Sequence, residues 1–141
     1  ISVGSRPVGA WVGANNKMYV DNEEGQTVSV IDVATLKVEE TVTLGFMPGM
    51  AAYNSPMSEL WVSDATNGKA VYFQRTNNQW VKKGEVSTGA GAHAIAFSSD
   101  GKTAYVTNQM AGKVTIVNAE AKTKIKDVTV GTKPNGIVLK Y

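Results

Sequence analysis

Thr103-Ala104-Tyr105-Val106-Thr107-Asn108 has two earlier counterparts in the chain, Lys17-Met18-Tyr19-Val20-Asp21-Asn22 and Glu59-Leu60-Trp61-Val62-Ser63-Asp64. The aromatic anchors Tyr19, Trp61 and Tyr105 are 42 and 44 residues apart. Eleven residues after each anchor stands an apolar residue in a short strand-like run: Val30, Tyr72 and Ile116. A glycine marker precedes each unit, as Gly4…Pro7, Gly45…Pro48 and Gly89…Ala92, and recurs once more as Gly131…Pro134. Landmarks that keep step over three periods define an internal repeat, and a repeat constrains the fold before any single element does.

Each period reads as four short strands. The third is clearest: 94–97, 104–106, 114–117 and 125–130, separated by Asp100-Gly101, Ala111-Gly112 and Glu120-Ala121-Lys122. In the second period Asn67-Gly68 is a hairpin signal, because both residues tolerate positive φ. Val28-Ser29-Val30-Ile31 and Val114-Thr115-Ile116-Val117 put apolar groups on both faces of a strand, so both faces must be covered. Lys122, Lys124 and Lys126, spaced by two, read as one charged face on an outer edge strand. No segment sustains a 3.6-residue apolar period. The fold class is therefore all-β, made of β-propeller blades: about three four-stranded antiparallel sheets plus one extra strand at Gly136–Lys140, a partial propeller. The blades run approximately over 5–44, 45–88 and 89–131, with 132–141 starting a fourth, all within a single propeller segment. Ile95, Phe97, Ile137, Tyr19, Trp61 and Tyr105 are expected to be buried.

Composition removes much chemistry. Among 141 residues there is no Cys and one His, His93, so disulfides, thiolate metal sites and a multi-histidine site from one chain are excluded. A net charge of +2 is too balanced for a nucleic-acid binder driven by phosphate contacts. No window approaches eighteen consecutive apolar residues, so no membrane span is expected. The absence of Cys fits an extracytoplasmic protein, whether periplasmic, on the cell surface or secreted. Ile1 in place of Met reads as a processed chain or a piece of a longer one. Charge is uneven: residues 1–70 carry four basic and eight acidic side chains, net −4, and residues 71–141 carry ten and four, net +6. Such halves suit a contact between one end of the molecule and the opposite end of a neighbour.

Tyr105-Val106-Thr107-Asn108, with Ser98-Ser99-Asp100-Gly101-Lys102-Thr103-Ala104 before it, resembles the repeats of the YVTN-type β-propeller family. Val28 to Thr35 and Val114 to Asn118 are similar to that family's third strand and following turn, and Val130 to Gly136 to its blade-to-blade connection. The second unit departs most, at Asn54-Ser55-Pro56-Met57-Ser58 and at Gln74. The resemblance implies a propeller whose first strands line a central tunnel, with His93 at a step where family members often hold a histidine. It does not imply one activity, since such folds carry unrelated sites. In physical terms the aromatic supplies buried area between sheets, and Asn22, Asp64 and Asn108 end their strands with side chains able to cap turns.

Candidate site residues are few. His93, in Gly89-Ala90-Gly91-Ala92-His93-Ala94, reads as a tunnel-mouth general base, or a cofactor, metal or haem ligand, or as a histidine bonded to a loop carbonyl. The aligned Val8, Gly49 and Asn135 offer no ring of like ligands, which favours the loop carbonyl. No catalytic constellation and no metal-ligand run stands out, and no cofactor is expected. Trp11, Trp61 and Trp80 read as blade-packing residues. Phe46, Met47 and Met50, in the apolar connector Phe46-Met47-Pro48-Gly49-Met50, read as a surface for another protein. Three functions stay open. The first is a non-enzymatic extracytoplasmic propeller module for protein binding or assembly. The second is part of an oxidoreductase-type propeller with a cofactor at the tunnel, and the third a lactonase-like hydrolase, which lacks carboxylates at the connectors. The partner expected is protein, by self-association or as the rest of a longer propeller, because three blades are too few to close a ring.

Overall fold

A computed structural model describes residues 1–141. Twelve strands form three separate four-stranded antiparallel sheets. The first contains β1 (Pro7–Gly13), β2 (Lys17–Asn22), β3 (Thr27–Asp32) and β4 (Lys37–Thr43); the second β5 (Pro48–Asn54), β6 (Glu59–Asp64), β7 (Lys69–Thr76) and β8 (Gln79–Ser87). The third contains β9 (Ala92–Phe97), β10 (Thr103–Asn108), β11 (Lys113–Asn118) and β12 (Thr123–Thr129). Each sheet runs in simple sequence order, and the first strands β1, β5 and β9 lie side by side along the chain of blades. This is propeller geometry with three blades.

The expected extra strand at 136–140 forms no ladder, because no second strand of a fourth blade is there to pair with it. Ile137 nevertheless packs, half-buried, on the core between the second and third blades.

Two cores fill the two joints. Between blades one and two, Tyr19, Val28, Val30 and Val42 meet Leu60, Val62, Val71 and Phe73. Between blades two and three, Trp61, Ala70 and Val86 meet Ala104, Val106 and Val117. The face that blade one turns to blade two is thus the same face that blade two turns to blade three. Tyr19 and Trp61 are fully buried (0% exposed). Tyr105, their counterpart, is only half-buried, because no fourth blade covers it. Phe97 is half-buried as well, edge-on to Trp61 at a centroid distance of 5.6 Å.

Two irregularities recur in every blade. Each first strand slips register near its start: between Pro7 and Gly9, between Pro48 and Ala51, and where Ala92 and Ile95 pair with Asn108 and Val106. Each fourth strand carries a bulge, at Glu39, Lys83 and Ile125. The last bulge corrects the reading of the lysines. Lys126 pairs with Ile116 and Lys124 with Val117, so the two point to opposite faces rather than sharing one. Lys122 lies in the turn before β12 at φ 58° and reaches back into blade two.

Asn67-Gly68 also differs from expectation. Only Gly68 is left-handed, at φ 64°, and Asn67 is held by Asp64, whose Oδ1 accepts its backbone N–H at 3.0 Å. The turn is four residues long, so one positive φ closes it.

Candidate functional site

Small polar side chains near the ends of the second strands hold the inner edge of every blade. Asp21 Oδ2 accepts the backbone N–H of Gly9 at 3.1 Å, Ser63 Oγ that of Met50 at 2.9 Å, and Thr107 Oγ1 that of Ala94 at 2.9 Å. Each hook takes up a donor freed by the register slip in the first strand. Ser63 also donates to the carbonyl of His93 at 2.6 Å, carrying the tie across to the next blade. Sequence reasoning missed these hooks. Their signal is the polar residue that follows valine in Tyr19-Val20-Asp21, Trp61-Val62-Ser63 and Tyr105-Val106-Thr107.

The next residue plays two roles. Asp64 caps its turn as expected. Asn22 and Asn108 do not. Their Nδ2 groups donate to hydroxyls on the third strand, Ser29 Oγ at 3.0 Å and Thr115 Oγ1 at 2.8 Å. Asp32 and Asn118 cap the following turns, after the third strands, where they accept the N–H groups of Thr35 and Ala121. The connecting glycine has its reason here. A Cβ on Gly89 would stand 3.0 Å from Cγ of Asn108, and one on Gly4 would stand 2.7 Å from Cγ of Asn22.

His93 is the second residue of β9. Its Nδ1 lies 3.1 Å from the carbonyl oxygen of Asn135, and Asn135 Oδ1 accepts from Gln109 Nε2 at 2.6 Å. The histidine therefore touches the C-terminal segment, at the position that aligns with itself one period later. Nowhere do three or more His, Cys, Asp or Glu side chains gather as a metal-holding group. At the other end of the first strands an open groove of about 430 Å³ is lined mainly by apolar side chains, among them Trp11, Met50, Ile95 and Phe97.

Phe46, Met47 and Met50 do not form one surface. Met50 is buried between blades two and three, where its sulfur accepts the N–H of Ile95 at 3.4 Å. Phe46 packs half-buried on the core of the first joint, and only Met47 is exposed. The first strand of each blade is covered by the next blade, which draws Met50 inward. Of the tryptophans, Trp61 and Trp80 pack between blades, whereas Trp11 is partly exposed with its indole N–H on Asp21 Oδ1 at 2.9 Å.

Ionisation follows the same architecture. Burial raises the pKa of Asp21 above the usual carboxylate value. The Lys17 ammonium, 2.7 Å from Asp32, holds that carboxyl well below the ordinary range. Burial pushes the Tyr19 hydroxyl up to about 12. The neutral phenol is thus favoured by the fold, so its contribution is intact below the unfolded value near 10 and is lost as pH rises from there to about 12. The melting temperature is expected to fall across that window, and to fall less in Tyr19→Phe, by thermal melts at each pH. An equal fall in both proteins would refute the assignment.

No protein-family model matches the chain, and no curated protein sequence does. Solved structures do. Kuenenia stuttgartiensis hydrazine synthase superposes with a TM-score of 0.82 at 22% identity, over 96% of this chain and 39% of its own. A 6-phosphogluconolactonase-like protein of Bacteroides fragilis gives 0.80 at 24% identity, over 96% and 42%. A functionally unknown protein of Desulfotomaculum acetoxidans gives 0.84 at 14% identity, over 95% and 45%. The chain spans less than half the length of each. At such identities the likeness is one of fold, and these neighbours support a β-propeller.

Proposed function

We propose that the chain is an extracytoplasmic, YVTN-type propeller module that acts without catalysis, by binding protein through its blade faces. One observation carries this reading. Tyr105 occupies the slot that buries Tyr19 and Trp61 completely, yet it stands half-uncovered on the open face of the third blade. A set of apolar side chains matched to two buried joints is suited to receive another blade, and contiguous apolar patches mark interaction surfaces. A chain without Cys has no thiol to oxidise, which suits the proposed extracytoplasmic location. The fold itself does not choose an activity, since its structural neighbours include hydrazine synthase and a dihydro-heme d1 dehydrogenase. The alternative, a tunnel cofactor on His93, rests on one side chain whose Nδ1 already meets a carbonyl.

The test is a tandem duplication, two copies joined by a flexible linker. If the open faces accept blades, the tandem protein melts higher than the single copy, by roughly 10 °C for a few kcal/mol of added joint. Equal melting temperatures would overturn the reading.

A further inference from the structure

The joint that the third blade lacks has its matching half on the first blade. Tyr105, Val114, Ile116 and Val128 occupy the slots held by Trp61, Ala70, Tyr72 and Val86 in the second joint. All four are apolar, and Val128 is 39% exposed. At the other end, the first blade's outer side carries Met18, Val20, Ile31 and Val33, the counterparts of Ala104, Val106, Val117 and Ala119; Val33 is 42% exposed and Met18 half-buried, while Val20 and Ile31 lie beneath them at 7% and 5%. Those counterparts seal the second joint.

The corner of the joint is matched too. In the second joint Lys122 reaches across to Glu59 and lies 5.1 Å and 4.6 Å from the Trp61 and Tyr72 ring centroids. The equivalent turn residue of blade one is Leu36, left-handed at φ 56° as Lys122 is at 58°, and 61% exposed. The equivalent of Glu59 in blade three is Thr103. Lysine meets glutamate at the existing joint; leucine would meet threonine and the Tyr105 ring at the missing one. Both members change together, so no charge is buried alone.

We propose that the open face of blade three docks blade one of a second copy of this chain, head to tail, so that two copies close six blades into a ring. The proposal rests on the reading that blade faces bind protein. Opposite net charges of the two halves, −4 over residues 1–70 and +6 over 71–141, favour this orientation over head-to-head pairing. Docking sets β1 of the second copy where residues 134–141 now lie, because Pro134-Asn135-Gly136-Ile137 repeats Pro7-Val8-Gly9-Ala10. That segment has no ladder to break; it is held by the Asn135 contacts, Ile137 packing and a hydrogen bond from the Tyr141 hydroxyl to the Phe97 carbonyl. It competes with the copy for one slot.

Analytical ultracentrifugation of the full chain at micromolar concentration tests this. The expected species has twice the 15.0 kDa mass of one chain, and high salt weakens it. Removing residues 133–141 tightens association. Leu36→Asp and Ile116→Asp, each with an unchanged circular-dichroism spectrum, weaken it at least about tenfold. Mixing those two variants restores association in part, because one of the two joints in the mixed pair is then intact; a head-to-head dimer recovers nothing on mixing. The proposal is overturned if full and shortened chains both remain single, or if the dimer ignores both substitutions. Single chains together with a stabilised tandem protein would reject the second copy while leaving blade docking in place.

Discussion

Trp61→Ala is expected to leave the protein largely unfolded at room temperature. The side chain is fully buried, stacks on Tyr72 at 5.5 Å and meets the edge of Phe97 at 5.6 Å. It therefore belongs to both halves of the second joint. Truncating a core tryptophan costs about 3–5 kcal/mol in transfer and cavity terms. The loss does not stop there, because the indole N–H donates to Glu59 Oε2 at 2.8 Å, and a buried carboxylate deprived of a donor is penalised further. A small domain holds only about 5–15 kcal/mol in total. Urea titration followed by circular dichroism should show the midpoint collapsing toward zero denaturant. Trp61→Phe keeps most of the apolar area and loses only the donor, so it should fall between wild type and Trp61→Ala. If the alanine variant lost less than about 1 kcal/mol, the joint would not depend on its anchor as described.

The contrast between what was legible and what was not follows from range. The anchors Tyr19, Trp61 and Tyr105 and the third strands, apolar on both faces, report local patterning, which depends only on neighbours along the chain, and from them the four-stranded blades follow. The half-exposure of Tyr105 was not legible, because burial is decided by a blade that must be present on the far side. Met50 was misread for the converse reason: a methionine in a connector resembles a surface contact until the next blade closes over it. The fourth-strand bulges at Glu39, Lys83 and Ile125 carry no common residue type, so spacing could not reveal that Lys124 and Lys126 face opposite ways. At the candidate site His93 was found as the single histidine, but its partner Asn135 lies 42 residues away, and only the superposition of periods brings them together. The hooks Asp21, Ser63 and Thr107 share a role without sharing a side chain. A hydroxyl or a carboxylate serves equally to accept one backbone N–H, and residue identity hides that equivalence.

Lys122→Met should cost less than losing the anchor but far more than an edge charge would, although the lysine was read as one. Glu59 is 2% exposed at the start of β6, with Trp61 Nε1 and Gln74 Nε2 donating to it at 2.8 Å and 2.9 Å. Lys122, delivered by the left-handed turn of the next blade, supplies the only full positive charge in contact with it. Its ammonium also lies over the Trp61 and Tyr72 rings, where their faces add to its stabilisation. Removing one partner of a buried pair strands the other, at about 3–5 kcal/mol. Methionine keeps the aliphatic stem, so the loss reports charge rather than packing. The value should fall below that range, at about 1–3 kcal/mol, because the Lys122 side chain is 20% exposed and two neutral donors remain on the carboxylate. Glu59→Gln in the Lys122→Met background removes the stranded charge while keeping a group that bonds to its neighbours. The double variant should therefore recover a large part of the loss, giving a coupling energy of about 1–3 kcal/mol in a double-mutant cycle. Additive effects of the two changes would show that the ion pair does not hold the second and third blades together, and the joint would then rest on its apolar face alone.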